Sequence, residues 1–239
     1  MKKLLLSFLV IVISIQAGIS QQVINDANAQ ERTVGSFHAI EVATGIQLTL
    51  TQGNSEEVAV SATSGEFRDK IVTKVDNGVL KIYYEDKLSS MNTKRQRKDL
   101  KAYVSCKTLD RLEANTGGTV DIIGTLKAGS LTMHANTGGT ITGMITSSSL
   151  KVDQNTGSVI TLSGNTENLD VEGSTGSRFK GVELTTAVCN AQVSTGASVT
   201  ITAQKELSVK ASTGGDVKYK GDASLKDIKK GTGGSVTKI

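Results

Sequence analysis

A tripeptide of Asn or Ser, then Thr, then Gly recurs along the second half of the chain, and this recurrence restricts the fold more than any other feature. It stands at Asn115-Thr116-Gly117, Asn136-Thr137-Gly138, Asn155-Thr156-Gly157, Ser174-Thr175-Gly176, Ser194-Thr195-Gly196 and Ser212-Thr213-Gly214, with a degenerate copy at Gly231-Thr232-Gly233. Successive threonines are 21, 19, 19, 20, 18 and 19 residues apart. A fixed period of this size is the signature of one supersecondary unit stacked on itself.

Placing the threonines in register shows which other columns are apolar. Four residues before each Thr stand Leu112, Met133, Val152, Val171, Ala191, Val209 and Ile228; four after stand Val120, Ile141, Ile160, Phe179, Val199, Val217 and Val236. Six before, from the second copy, come Leu131, Leu150, Leu169, Cys189 and Leu207. Three before, the residues are polar: Glu113, His134, Asp153, Glu172, Gln192 and Lys210. Alternation with period two on either side of a Gly-containing bend predicts short strands joined by turns.

One such unit cannot bury its own apolar face, but stacked copies can, each strand pairing in parallel with its counterpart about 4.8 Å away. The sequence therefore predicts an all-β chain: a right-handed parallel β-helix, or solenoid, with about 19 residues per coil. The left-handed hexapeptide helix has a similar coil length but needs an aliphatic residue every six positions, whereas the two apolar columns here are eight apart across a Gly corner. Each corner Gly is expected to supply a positive φ without steric cost, and the Asn or Ser before the Thr to bond local backbone. The absence of proline agrees with backbone donors committed to ladders.

Residues 101–239 carry this repetitive solenoid. Residues 33–100 read as irregular first coils that cover the open end of the stack, a separate small β domain being the alternative. Thr44-Gly45 repeats the corner with Ile40 and Leu48 in phase, and Asp76-Asn77-Gly78 between Ile71–Val75 and Val79–Tyr84 predicts a tight hairpin. At the far end the seventh copy departs from its predecessors: Lys226, Lys230 and Lys238 occupy the columns six before, two before and six after the Thr. Charge on an edge strand prevents pairing with another molecule, so these lysines are expected to cap the stack.

Residues 1–20 join Lys2 and Lys3 to an apolar stretch from Leu4 to Ile13 and then small and polar residues, the pattern of a secretory signal peptide. Cleavage is expected after Ser20, with Ala29 the weaker alternative, leaving 21–32 as a linker. No later stretch approaches the roughly 18 consecutive apolar residues of a membrane-spanning helix. No cysteine stands near the cleavage region to accept a lipid. The expectation is an exported protein of the periplasm, cell surface or medium.

The formal charge of +4, or +2 without Lys2 and Lys3, selects no particular partner. A nucleic-acid binder would show clustered Lys and Arg with aromatics to stack bases; this chain has four Tyr, four Phe and no Trp. Its one basic run, Lys94 to Lys98, sits beside Ser89, Ser90 and Asn92 and reads as a solvated loop. Cys106 and Cys189 could pair in an oxidising compartment, but Cys189 falls in a column of leucines, where a small buried hydrophobe is the better reading. With two Cys, two His and no CxxC or HExxH, no metal site and no cofactor is expected.

The strand Phe37-His38-Ala39-Ile40-Glu41-Val42, the serial Thr-Gly corners and Gly45-Ile46-Gln47 together resemble the bacterial family known as putative auto-transporter adhesin, head GIN domain. Gly45-Ile46-Gln47 departs from the family's Gly-Ile-Asn at its third residue. The resemblance spans about residues 33–239 and implies a solenoid of the bacterial envelope or surface; it brings no catalytic residues.

Three function classes follow. The first is a non-enzymatic adhesion or binding module whose partner is a protein or glycan at the cell envelope, monomeric in itself. The second is a structural or stress-sensing envelope component. The third is a polysaccharide-active enzyme, which would need convergent carboxylates or a positioned base. His38 and His134 are the only imidazoles, His134 stands in an outward column, and Glu56-Glu57 and Glu85-Asp86 fall in predicted turns, so the enzyme is the weakest of the three.

Overall fold

The computed structural model describes residues 26–85 and 97–239. The expected signal peptide, residues 1–20, and its cut after Ser20 lie outside the described residues, as do Lys94, Arg95 and Gln96 of the basic run. The fold is all β, 65% strand and 2% helix, with parallel coils about 19 residues apart stacked as a solenoid of about 7 turns.

The strands, in chain order, are β1 (Gln30–Glu31), β2 (Ala39–Val42), β3 (Gln47–Gln52) and β4 (Glu57–Ser61), then a short helix α1 (Gly65–Asp69). There follow β5 (Ile71–Asp76), β6 (Val79–Tyr84), β7 (Lys101–Cys106) and β8 (Arg111–Ala114). The repetitive part comprises β9 (Thr119–Ala135), β10 (Thr140–Gln154), β11 (Val159–Gly173), β12 (Arg178–Val193) and β13 (Ser198–Ala211). The last strands are β14 (Asp216–Lys220), β15 (Ser224–Lys230) and β16 (Ser235–Lys238). From β9 to β13 one strand runs from each Thr-Gly corner to the next.

The apolar columns become inward ladders. Leu131, Leu150, Leu169, Cys189 and Leu207 stack in direct register, as do Met133, Val152, Val171, Ala191 and Val209. All ten are at most 2% exposed. Each such large side chain contributes roughly 1.5–3 kcal/mol by leaving water. Because that burial comes from the coil above and the coil below, no coil is stable by itself. At the bend away from the corners, buried hydroxyls are paired: Ser147 donates to Thr166 at 3.0 Å, Thr166 to the Asn168 carbonyl at 3.1 Å and Thr186 to the Val188 carbonyl at 2.9 Å.

The N-terminal coils stack out of chain order. The coil of β2 and β3 lies between the pair β6 and β7 on one side and β8 and β9 on the other, all parallel. The chain thus leaves its own stack after Gln52, builds the coil below, and returns above. The Gln52 side chain repairs the gap this leaves, accepting from the Lys127 N–H at 2.8 Å and donating to the carbonyls of Lys127 at 3.0 Å and Lys107 at 3.1 Å. The outer face of the lowest coil is closed by antiparallel strands, β4 on β7, β5 on β6 and β1 on β4, which end the parallel ladder. The β5–β6 hairpin turns at Asn77 (φ 49°) and Gly78 (φ 75°). Glycine supplies the positive φ at Gly78, and a Cβ there would also push aside the exposed His38 ring, which it would meet at 2.5 Å.

Residues 26–32 are docked: the Tyr103 hydroxyl donates to Asp26 at 2.9 Å and the Arg32 N–H to the Val58 carbonyl at 2.8 Å. Lys98, expected in a solvated loop, instead places its ammonium 4.2 Å from the centre of the Tyr84 ring, where the π face attracts the cation.

At the other end β15 pairs with β13 and β16 with β14. Here the register corrects the repeat arithmetic. Leu225, not Lys226, stands opposite Leu207, and a bulge sets Lys226 aside, 3.6 Å from Glu206. The physical reason is that Leu225, though half exposed itself, covers the buried Leu207 with apolar surface, while the bulge leaves Lys226 beside a carboxylate. Lys230 and Lys238 do keep inward columns, opposite Ala211 and Tyr219.

Candidate binding groove beside the corner ladder

The corner tripeptides converge into one ladder. In each, the residue after the Gly returns its N–H to the carbonyl of the residue before the Thr, as in Gly118 to Asn115 at 2.9 Å and Ala197 to Ser194 at 3.0 Å. Thr116, Thr137, Thr156, Thr175, Thr195 and Thr213 have φ of 47–50°. Gly117, Gly138, Gly157, Gly176, Gly196 and Gly214 follow at 68–75°. Positive φ at both central residues defines a type I′ turn. The positive φ expected at each corner Gly is present, and the β-branched Thr shares it, a position natural turns give to Asn, Asp or Gly.

Two devices offset that strain. Each corner Gly N–H donates to the Thr carbonyl of the next coil, from Gly45 to Thr116 through Gly196 to Thr213, at 3.0–3.2 Å. The Asn136 and Asn155 side chains accept from the N–H groups of Thr137 and Thr156 at 2.8 Å. A column not singled out in the sequence makes the tight approach possible. Gly118, Gly139, Ser158, Ser177, Ala197 and Gly215, two after each Thr, are all buried. A Cβ at Gly215 would lie 2.5 Å from the Val193 carbonyl oxygen. The signal, uniform smallness, was present in the sequence.

Beside this ladder runs an open groove of about 880 Å³, lined from Glu113 to Ser212 and so crossing six corners. Its floor is the buried column two before each Thr, which includes Ala135, Gln154, Gly173 and Val193. Its wall is the polar column three before each Thr. His134 lies 3.1 Å from Asp153, Lys151 3.9 Å from the same carboxylate, and Arg111 3.3 Å from Glu113. Farther along, Glu172 and Lys210 are exposed and have no ion-pair partner among the described residues. No Phe, Tyr or Trp among the described residues lines the groove.

The two cysteines are free and buried. Burial pushes the Cys106 thiol up to about 11 and the Cys189 thiol to about 12, each aided by a nearby carboxylate. Protonated thiols in those positions are not nucleophiles. Among the described residues no three of His, Cys, Asp and Glu are placed to hold a metal ion. Lys226, Lys230 and Lys238 lie at the far end of the stack, away from this groove.

The pattern of the family described as putative auto-transporter adhesin, head GIN domain, matches residues 36–223. The chain belongs to this family. No curated protein matches it. Among solved structures, a putative adhesin from Bacteroides fragilis NCTC 9343 is similar at 17% identity and TM-score 0.74, covering 88% of this chain and 96% of that one. A putative adhesin from Parabacteroides distasonis ATCC 8503 is 15% identical with TM-score 0.71, again covering 88% and 96%. A structure from the same strain named a putative lipid binding protein is 17% identical with TM-score 0.69 and the same coverage. At these identities the likeness shows a shared fold and nothing more. Among the described residues no helix is long and apolar enough to cross a membrane.

Proposed function

We propose that this head GIN domain protein is an exported, non-enzymatic binding module that holds an extended partner of the cell envelope, glycan or protein, along the corner groove. The observation that carries the reading is the groove itself, one polar-walled channel crossing six corners on a rigid parallel scaffold. Stacked repeats commonly present such elongated surfaces for recognition. The changing charge of its wall, from Glu113 through Glu172 to Lys210, suits a partner of defined sequence over a strictly periodic polymer. The family's adhesin description and the amino-terminal export pattern support the same reading.

The test uses residues 21–239 on a glycan array and on envelope fractions, with Glu172→Lys plus Gln192→Lys in the groove and Glu167→Lys outside it. Retention that falls at least tenfold for the groove variant alone supports the proposal. Equal retention of both variants, with unchanged circular dichroism, refutes it. Within the same reading Lys226, Lys230 and Lys238 keep the module monomeric by charging the exposed edge of the last coil. Their support is the inward column kept by Lys230 and Lys238.

A further inference from the structure

With the groove as the binding surface, as proposed above, the charges of its wall select the class of partner. Glu113, His134, Lys151 and Asp153, which line it, each lie 3.1–3.9 Å from an ionisable side chain of the protein. Glu172 and Lys210 line the same wall, are exposed, and have no ion-pair partner among the described residues. A carboxylate and an ammonium so placed complement a partner that brings a cation to the first and an anion to the second. A polysaccharide of one repeating unit has the same charge in every repeat, whereas a polypeptide can carry opposite charges at set positions.

Register sets the separation of the two charges. Glu172 lies opposite Gln192 and Gln192 opposite Lys210, so both stand in one outward column, two coils apart. His134 stands two coils before Glu172 in the same column, with Asp153 between them. Adjacent strands are about 4.8 Å apart, which makes the two-coil step about 9.6 Å. A polyproline II helix rises about 3.1 Å per residue with three residues per turn, so its side chains i and i+3 leave one side about 9.3 Å apart. A β-strand returns to one side every two residues, after about 6.8 Å and then about 13.6 Å, and neither distance is two coils. The six corners span about 24 Å, or about eight residues of polyproline II, over which the mismatch accumulates to less than about 1 Å.

We propose that the groove receives a polypeptide segment in the polyproline II conformation, with a basic residue against Glu172 and an acidic residue three positions away against Lys210. Such a segment makes no hydrogen bonds within itself. Its N–H and C=O groups are therefore free for the Asn136 and Asn155 amides and the Ser174, Ser194 and Ser212 hydroxyls that line the same channel. The segment can lie in either direction, because only the spacing of its two charges is read. Without Phe, Tyr or Trp in the lining to hold proline rings, selection falls to charge.

The test measures fluorescence anisotropy of short, end-capped, proline-rich peptides with residues 21–239. One probe carries Lys and Glu three positions apart, a second carries them two apart, and a third carries two Glu three apart. The parent should bind the first roughly fivefold more tightly than either of the others, the upper range for one exposed ion pair. Glu172→Lys leaves two cations on the wall and should make the Glu and Glu probe the preferred one. Equal binding at the two spacings, an unchanged preference in Glu172→Lys, or no binding of any probe overturns the proposal. Failure of the groove itself looks different, since the groove variant would then retain envelope material as the parent does. A glycan bound by the parent and lost by the groove variant, with every peptide failing, leaves the groove as the binding surface and removes the polypeptide.

Discussion

Gly157→Val isolates the backbone cost of a corner, because a Cβ at Gly157 meets nothing within 4 Å and its φ is +68°. Any destabilisation then comes from forcing a β-branched residue into the left-handed region and not from a clash. Strain of that kind costs about 1–3 kcal/mol. A chain of this length loses roughly 2–4 °C of Tm per kcal/mol, so a central cost of about 2 kcal/mol lowers Tm by roughly 4–8 °C. Thr156 sits at φ 47° and is already β-branched, so Thr156→Val exchanges only an exposed hydroxyl. It should stay within about 0.5 kcal/mol. Thr156→Asn should do the reverse of Gly157→Val, raising stability by about 1 kcal/mol, since Asn visits this region readily and Asn-Gly is the preferred type I′ pair. The assay is thermal unfolding followed by circular dichroism for the three single variants against the parent. Equal falls for Gly157→Val and Thr156→Val, or a lower Tm for Thr156→Asn, would refute the type I′ account of the corners.

Burial with thiol values near 11 for Cys106 and 12 for Cys189 means that neither reacts with a thiol reagent at pH 8 in the folded protein, while both titrate in denaturant; rapid labelling of native protein would contradict this. Burial and the hydrogen bond to Asp26 push Tyr103 up to about 12 from 10.0, so its contribution is present below pH 10 and is lost as pH rises through 12. The Tm difference between parent and Tyr103→Phe should accordingly shrink across pH 10–12, and a constant difference would refute the assignment. Changing Lys226, Lys230 and Lys238 together to Leu, Ala and Ile should produce end-to-end association in light scattering at several concentrations, with unchanged secondary structure; a triple variant as monomeric as the parent removes their capping role.

The repeat was legible because its determinants are local. Alternation around Thr-Gly specifies which side chains of a coil point inward, and identical spacing in every copy specifies that Leu150 will lie on Leu131 and under Leu169. The small column at Gly118, Gly139, Ser158, Ser177, Ala197 and Gly215 is equally visible in the sequence but says little by itself, because smallness signals close approach only once an opposing carbonyl is known. Other features depended on non-local pairing. The strand Ala39–Val42 alternates as any coil strand does, so nothing in it announces that it lies between Val79–Tyr84 and Arg111–Ala114. Lys226 leaves its column through a bulge that sets Leu225 opposite Leu207, which spacing alone does not record. The φ of the corner threonines and the groove crossing six coils arise only when separate coils come within hydrogen-bonding distance. Periodicity by itself thus determined the stack and its inward face, whereas the order of coils, the exposed edge and the surface available to a partner were decided by contacts between residues distant in sequence. The physical reason is that side-chain direction follows from the backbone of one strand, while pairing is chosen by competition among many similar strands.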